Sequence, residues 1–146
     1  MEKKNIPLGM IICRMMHEMF RVLKKQAFEQ TEIKLSLEQF GLLHTINMKS
    51  EDVIQNDMAK MMGRDKSSIL RLIDSLEEKE LVRRVVDKND RRKNYLMVTK
   101  KGEKIIEQYL EIEFKLVKEL QDGLSKSDIE TFYKVINHIK SNAEKL

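Results

Sequence analysis

The stretch QNDMAKMMGRDKSSILRLIDSLEEKE, which covers residues 55–80, decides the fold. Its first part has methionines at the spacing of a short amphipathic helix, and Gly63 ends that helix because glycine readily adopts the left-handed conformation of a helix C-terminus. Asp65 then caps a second helix. The apolar residues of this helix follow the spacing i, i+3, i+4, i+7, and they are Ile69, Leu72, Ile73 and Leu76. Two helices joined by so tight a turn predict a helix-turn-helix.

The residues after this stretch predict a β-hairpin with a basic tip. Segments 81–86 and 95–98 are rich in β-branched or aromatic residues with polar residues interleaved, which is typical of strands. Segment 87–94 between them is charged and turn-forming. Thr99 then caps a long helix. A helix-turn-helix followed by such a hairpin is a winged helix-turn-helix.

Long helices are predicted on both sides of this core. Pro7 fits the first turn of a helix that reaches about residue 30. Ser36 and Gln39 form a capping box at the start of the next helix, and Ser125 caps the final one. We therefore predict a mostly α fold with a small β-hairpin wing, in one domain over residues 1–146. The winged helix covers about 35–100, and the long flanking helices cover about 7–30 and 100–146.

The composition excludes several classes of protein. The 146 residues hold one cysteine, which excludes an internal disulfide framework and fits a reducing cytoplasm. The N-terminal apolar run, residues 6–13, is far shorter than the ~20 residues of a membrane span, and no small-residue cleavage site follows it. His17, His44 and His138 lie far apart, without cysteines or clustered carboxylates at ligand spacing, so we expect no metal and no other cofactor. No phosphate loop, nucleophile elbow or paired-carboxylate pattern suggests an enzyme.

The positive charge of the chain is concentrated in its middle third. The formal net charge is +4, and residues 55–100, with twelve basic and eight acidic side chains, account for all of it. Six basic residues lie in the hairpin segment 83–93. A charge run alone is more often a solvated turn than a binding site. Its position in a winged helix favours a polyanionic partner.

The second helix of the helix-turn-helix has a polar face suited to reading DNA. At ~100° per residue, its exposed face carries Ser67, Arg71 and Ser75, and Lys66 and Ser68 lie in its first turn. Short serines let the helix approach DNA, serine bonds either kind of base edge, and arginine binds guanine O6 and N7. Acidic residues further along this face would repel phosphate, which confines contact to the first two turns.

The sequence at this point resembles the MarR (multiple antibiotic resistance regulator) family of transcription regulators. The matching residues begin with segments 35–40 and 58–63. They continue through segments 66–69, 71–73 and 76–84 to Asp87, Asp90-Arg91-Arg92, Leu96, Val98-Thr99 and Gly102. The ordered set covers about residues 35–105, and the flanking helices match the family in order and length.

The resemblance implies roles for individual residues. Arg91, at the hairpin tip, enters the minor groove, and Arg92 anchors the wing by pairing with Asp87 or Asp90. Gln55 stands where the family usually has a capping Thr or Ser, and Asn89 replaces a frequent Arg. The expected DNA contacts are Lys66, Ser67, Ser68, Arg71, Ser75, Lys88, Arg91, Arg92 and Lys93.

The first helix and the last two carry apolar stripes, which predict a homodimer because a small winged-helix core cannot cover them all. The expected dimer contacts are Leu8, Ile12, Met15, Ile129, Phe132, Ile136 and Ile139. The resemblance implies a repressor that binds double-stranded DNA at an inverted repeat and is released by a small aromatic or phenolic effector.

Two alternatives remain open at this stage. The winged helix is a protein-interaction module, or the chain is a redox sensor that acts through Cys13 on the first helix. Against the redox sensor, no tyrosine occurs among residues 1–94 and a lone cysteine on an apolar helix is usually buried. The operator, the regulated genes, the effector and the sign of regulation do not follow from the sequence.

Overall fold

Six helices and three short strands make up the described part of the chain, residues 6–49 and 52–146, in a computed structural model. The helices are α1 Leu8–Gln30, α2 Leu37–Met48, α3 Gln55–Met62, α4 Lys66–Glu78, α5 Lys100–Leu120 and α6 Lys126–Ala143. The strands are β1 Val53–Ile54, β2 Val82–Val86 and β3 Asn94–Val98. The prediction of a mostly α fold with a β wing is confirmed.

The sheet has one strand more than the sequence predicted. All its strands pair antiparallel, in the order β1-β3-β2. The predicted hairpin is β2 and β3, with Arg84 opposite Leu96. The unpredicted β1 is only two residues long and pairs Val53 with Leu96. A strand of two residues is too short to show an alternating pattern in the sequence. It forms because Val53 pairs with Leu96, which is distant in sequence.

Side-chain caps begin the helices where the sequence predicted them. The Ser36–Gln39 capping box is complete, with Gln39 N donating to Ser36 Oγ at 3.1 Å and Ser36 N donating to Gln39 Oε1 at 2.8 Å. Asp65 caps α4 and Ser125 caps α6. By contrast, α3 begins without a side-chain cap, because Ile54 occupies its cap position and Gln55 is the first residue of the helix.

Two glycines are required by the backbone around them. Gly63 ends α3 with a φ of +61°, in the left-handed region that glycine adopts without steric cost. Gly102 lies in the first turn of α5, where a Cβ would be 2.3 Å from the carbonyl oxygen of Leu81. A side chain at position 102 would therefore separate α5 from the start of the wing.

The described chain forms two compact units, Met1–Ile112 and Glu113–Leu146. A single domain over residues 1–146 stays a prediction. In the first unit, α2 and the sheet pack against α4 and form the core. Its largest fully buried side chains are Leu42, Leu43, Met58, Ile69, Ile73, Leu76, Leu81 and Val82. In the second unit, α6 has no buried residue, although it carries an apolar stripe.

The apolar stripe of α5 is one of the three from which the homodimer is predicted, but much of it is buried without a second chain. Ile105, Tyr109 and Ile112 are 5–6% exposed in the chain alone. The Tyr109 ring stacks on Phe40 of α2 at a centroid distance of 5.0 Å. Its hydroxyl accepts a hydrogen bond from Leu35 N at 3.0 Å and donates to Ile33 O at 3.2 Å. Tyr109 therefore fastens α5 to the segment that leads into α2.

We predict that Tyr109→Phe lowers the free energy of unfolding by about 1–2 kcal/mol, because it leaves the buried Leu35 N–H without its acceptor and keeps the ring stacking. The measurement is urea unfolding at one fixed protein concentration. Tyr133→Phe is the matched control, since Tyr133 is 51% exposed on α6 and should change little. Equal stabilities of the two variants would contradict this role for the Tyr109 hydroxyl.

Candidate nucleic-acid interface

The exposed face of α4 is opposite its buried stripe. Ile69, Ile73 and Leu76 are no more than 1% exposed. On the opposite side, Lys66, Ser67 and Arg71 are exposed, and Ser68 is half-buried at the flank. Leu70, beside this face, is 39% exposed. The first two turns of α4 therefore offer two cations, two hydroxyls and one leucine to solvent.

Asp65 holds both serine hydroxyls of the first turn. Ser67 Oγ donates to Asp65 Oδ2 at 2.6 Å, and Ser68 Oγ donates to Asp65 Oδ1 at 2.7 Å. The backbone N–H of Ser68 also binds this carboxylate, at 3.0 Å. These hydrogen bonds lower the pKa of Asp65 far below its usual range, and the one from Ser67 has the largest effect. Since each hydroxyl hydrogen is used internally, the two serines present only their lone pairs outward.

Ser75, an expected DNA contact, is placed in a helix–helix contact. It is half-buried, and Gln39 Nε2 donates to its Oγ at 2.6 Å. The same Gln39 side chain completes the capping box of α2. Ser75 thus fastens α4 to α2, and its hydroxyl lies beside α2, away from the most exposed part of the polar face.

The wing tip exposes all its cations while aspartates fold its backbone. Asp87 Oδ1 accepts hydrogen bonds from the backbone N–H groups of Asn89 at 2.7 Å and Asp90 at 3.0 Å. The Tyr95 hydroxyl donates to Asp87 Oδ2 at 2.7 Å. The backbone of the turn closes between Asp87 N and Lys93 O at 3.0 Å. The exposed residues of the tip include Lys88, Arg91, Arg92 and Lys93.

The hydrogen bonds of the tip shift two pKa values. The Tyr95 hydroxyl, followed by the two backbone N–H groups, lowers the pKa of Asp87. In return, the Asp87 carboxylate raises the pKa of the Tyr95 hydroxyl. Asp87 is therefore a carboxylate at neutral pH, with Oδ1 directed at the backbone of the turn and Oδ2 at the Tyr95 hydroxyl.

The expected side-chain anchor of Arg92 is wrong. Asp90 Oδ1 accepts from the backbone N–H of Arg92 at 2.9 Å. The Arg92 guanidinium is exposed and forms no ion pair with any residue in 6–49 or 52–146. Because backbone N–H groups and the Tyr95 hydroxyl bind Asp87, and a backbone N–H binds Asp90, the wing is folded without this arginine side chain, and its charge faces solvent.

Arg84, at the base of the wing, makes contacts within the chain that the sequence did not predict. Its Nε donates to Gln55 Oε1 at 2.6 Å, its Nη1 donates to Glu77 Oε1 at 2.8 Å, and its Nη2 binds Asp74. Arg84 and the exposed Arg83 beside it look alike in the sequence. Only the alternation of side-chain direction along a strand distinguishes them. The expected repulsion of phosphate by Asp74 is reduced, because Arg84 pairs with that carboxylate.

A second arginine is also paired inside the helix-turn-helix. Arg64, in the turn between α3 and α4, binds Glu38 of α2 at 2.7 Å. This hydrogen bond and the charge of Glu38 raise the pKa of Arg64. Its charge is therefore partly compensated within the chain.

The residues expected in the dimer are on the surface of the chain. None of them is buried, and the exposed fractions include 59% for Leu8, 47% for Phe132 and 38% for Ile136. The half-buried ones are Ile12 and Ile129. The expected burial of Cys13 is wrong for the chain alone, where it is exposed, because the described residues leave its face of α1 uncovered.

Two of the three histidines contact a neighbouring side chain. His44 stacks on Phe40 at 5.8 Å, and Asn142 is hydrogen-bonded to His138 at 3.2 Å. Within the described residues, no three His, Cys, Asp or Glu side chains form a group that could hold a metal ion. The described helices include none with the length and apolar content to cross a membrane.

Comparisons with known proteins agree with this geometry. The MarR family model matches residues 35–93. The structure resembles apo wild-type MarR from E. coli, with a TM-score of 0.77 at 23% identity, over 93% of this chain and 98% of that one. It resembles the S. aureus MepR-DNA complex, with a TM-score of 0.76 at 26% identity, over 94% and 99% of the chains. It also resembles a cysteine-to-serine mutant of E. coli MarR complexed with operator DNA, with a TM-score of 0.76 at 24% identity, over 92% and 94%.

We predict that Tyr95→Phe raises the pKa of Asp87 toward the ordinary value of about 3.9, because the phenol no longer stabilises the carboxylate. A depressed folded-state pKa stabilises the protein above the unfolded value, and this stabilisation is lost as the pH falls through the folded value. The acid loss of the wing fold should therefore begin at a higher pH in the variant. Carboxyl ¹³C NMR titration measures the shift, and Tyr133→Phe is the control. An unchanged Asp87 titration in Tyr95→Phe would contradict the role of this hydrogen bond.

Proposed function

The chain belongs to the MarR family of winged helix-turn-helix DNA-binding transcription regulators, and from this premise we propose that it is a repressor that binds an inverted-repeat operator as a homodimer. A small aromatic or phenolic effector releases it from DNA. The effector class rests on family membership alone.

The observation that carries the proposal is the contrast between paired and unpaired cations. Arg64 and Arg84 form ion pairs with carboxylates of the chain. Lys66 and Arg71 on α4, and the four cations of the wing tip, form no ion pair with any acidic side chain in the described residues. Cations without internal partners, on two elements that follow each other in the fold, are available to DNA phosphates.

The proposed contacts divide between the two elements. On α4, Arg71 is suited to guanine O6 and N7, and Lys66 in the first turn is suited to phosphate. Ser67 and Ser68 present lone pairs only, so their matching partners are the amino groups of adenine N6 and cytosine N4. On the wing, Arg91 enters the minor groove, and Lys88, Arg92 and Lys93 bind phosphate.

Two relatives support a DNA-bound state. The S. aureus MepR structure is a DNA complex, and the mutant E. coli MarR structure is complexed with operator DNA. Both share the fold that carries α4 and the wing in this chain. They do not identify the operator of this protein.

The homodimer is supported by apolar side chains that the chain leaves uncovered. On α1, Leu8, Ile11 and Met15 are 59%, 49% and 36% exposed, and Phe132 and Ile139 on α6 are 47% and 43% exposed. Monomeric proteins rarely expose so many apolar residues along helices. An identical chain related by a twofold axis covers such faces on both copies with one kind of contact.

The alternatives have less support. A protein-interaction module has little use for four exposed cations on a turn of eight residues, 87–94. The exposure of Cys13 gives oxidants access to the thiol, but a single exposed thiol does not define a sensor.

We predict that the reading helix and the wing contribute differently to binding. Arg71→Ala should cost about 1–3 kcal/mol at the operator and relax the preference at one base position. Arg91→Ala should weaken binding to most sequences, with some loss of A·T preference beside each half-site. Lys93→Ala should reduce the salt slope by about one unit per affected site. Operator selection followed by anisotropy titrations at several salt concentrations measures these effects.

Lys145→Ala is the control for loss of one positive charge, because Lys145 lies at the exposed C-terminal end. It should change neither the base preference nor the salt slope. If Arg71→Ala and Arg91→Ala both left operator affinity unaltered at physiological salt, the proposed interface would be wrong.

We predict that Ile136→Glu abolishes dimerisation and operator binding together and keeps most of the helix content. A buried charge at a twofold interface has no partner and costs too much to desolvate. Light scattering should give about twice 17.3 kDa for the wild type and 17.3 kDa for the variant. Met48→Glu, at a side chain that is 70% exposed on α2, is the control and should stay dimeric. A monomeric wild type at micromolar concentration would exclude the homodimer.

A further inference from the structure

Arg84 lies where the wing leaves the body of the first unit. Val82, two residues earlier on β2, is 1% exposed, whereas Val85 and Val86 beyond it are 38% and 54% exposed. The Arg84 side chain is 21% exposed, and its partner across the sheet is the buried Leu96. It is therefore the last β2 side chain that is packed against the helices, and the outer half of the hairpin extends beyond it.

The guanidinium of Arg84 joins three elements at once. Its nitrogens bind Gln55, the first residue of α3, and both Asp74 and Glu77 of α4. The backbone N–H of Arg84 also donates to Glu77 Oε2, at 3.1 Å. A planar group with donors in several fixed directions satisfies these acceptors together, which a single ammonium group on a flexible stem cannot do. One side chain of β2 thus binds both α3 and α4.

These contacts also explain the unusual residue at position 55. Gln55 does not cap α3, whose first turn has no side-chain cap. Its amide oxygen instead accepts from Arg84 Nε at 2.6 Å, which ties the start of the helix-turn-helix to the wing. The start of α3, the reading helix α4 and the wing are consequently held in one arrangement.

We propose that Arg84 is a positioning residue that holds the wing at a fixed angle to α4, so that Arg91 and Arg71 contact the same DNA site simultaneously. Arg84 itself contacts no DNA, because each of its three side-chain nitrogens is already bound to Gln55, Asp74 or Glu77 and its side chain is only 21% exposed. The inference rests on the proposed function and adds to it the residue that makes the two DNA-binding elements act together.

A double-mutant cycle on the selected operator tests this coupling. Arg84→Met should weaken binding about tenfold in the wild-type background, and less than about threefold in the Arg91→Ala background, since coupled residues are non-additive. Without Arg91 the wing loses its minor-groove contact and keeps only its phosphate contacts, so the position of the wing affects binding less. Arg84→Lys keeps the charge but not the three-way contact, and it should behave like Arg84→Met.

Arg83→Met is the matched control. Arg83 is the neighbouring exposed arginine on β2, and its replacement removes the same charge without affecting the Arg84 contacts. Its effect on binding should be the same in the wild-type and Arg91→Ala backgrounds. Thermal unfolding establishes that each variant is folded. If Arg84→Met fails to fold, Gln55→Ala replaces it in the cycle, because it removes one contact of the guanidinium and should give the same non-additivity on a smaller scale.

The outcomes separate the two levels of inference. If Arg84→Met or Gln55→Ala weakens binding by the same factor with and without Arg91, the residue acts independently of the wing and the proposal is overturned. If Arg84→Lys binds like wild type, charge and not position is what matters, and the proposal is again overturned. If the wild-type protein selects no DNA sequence at all, the proposed function fails, and this inference fails with it.

Discussion

The burial of one face of α4 is the constraint on which the rest of the structure depends. Ile69, Ile73 and Leu76 are almost fully buried, and α2 packs against this helix. A helix that buries one stripe has a single favourable orientation about its own axis, so the opposite face with Lys66 and Arg71 must point to solvent. The hydrophobic effect therefore selects which side chains are presented to a ligand, although it acts on residues that touch no ligand.

A series of hydrogen bonds from the start of α2 keeps the neighbouring helices in register with this core. The Gln39 amide completes the capping box through its oxygen and binds Ser75 of α4 through its nitrogen. Leu35, one residue before the cap, donates to the Tyr109 hydroxyl of α5. The Gln39–Ser75 bond is partly buried and the Leu35–Tyr109 bond is buried, so losing a partner in either would leave a polar atom with reduced access to water. The helix that supports α4 is thus itself fixed at its first turn.

Much of this arrangement could be predicted because it depends on residues close in sequence. The caps at Ser36, Asp65 and Ser125 each involve a partner three residues away. The helices are found where the spacing of apolar residues predicted them. Features that depend on distant pairs could not be predicted. Strand β1 exists through Leu96, Arg84 finds Gln55 across 29 positions, and Ser75 is turned toward Gln39 across 36. The exposure of Cys13 likewise depends on what covers α1, which no local pattern describes.

The placement of the acidic residues resolves a conflict between folding and DNA binding. The segment that would face DNA contains eight carboxylates among residues 55–100, and free carboxylates beside phosphate are repulsive. Asp65, Asp87 and Asp90 bind backbone N–H groups, and Asp74 and Glu77 bind Arg84. Negative charge is thus used to shape the first turn of α4 and the tip of the wing, and the cations beside it remain available. In this basic DNA-binding element, the acidic residues therefore help to position the lysine and arginine side chains.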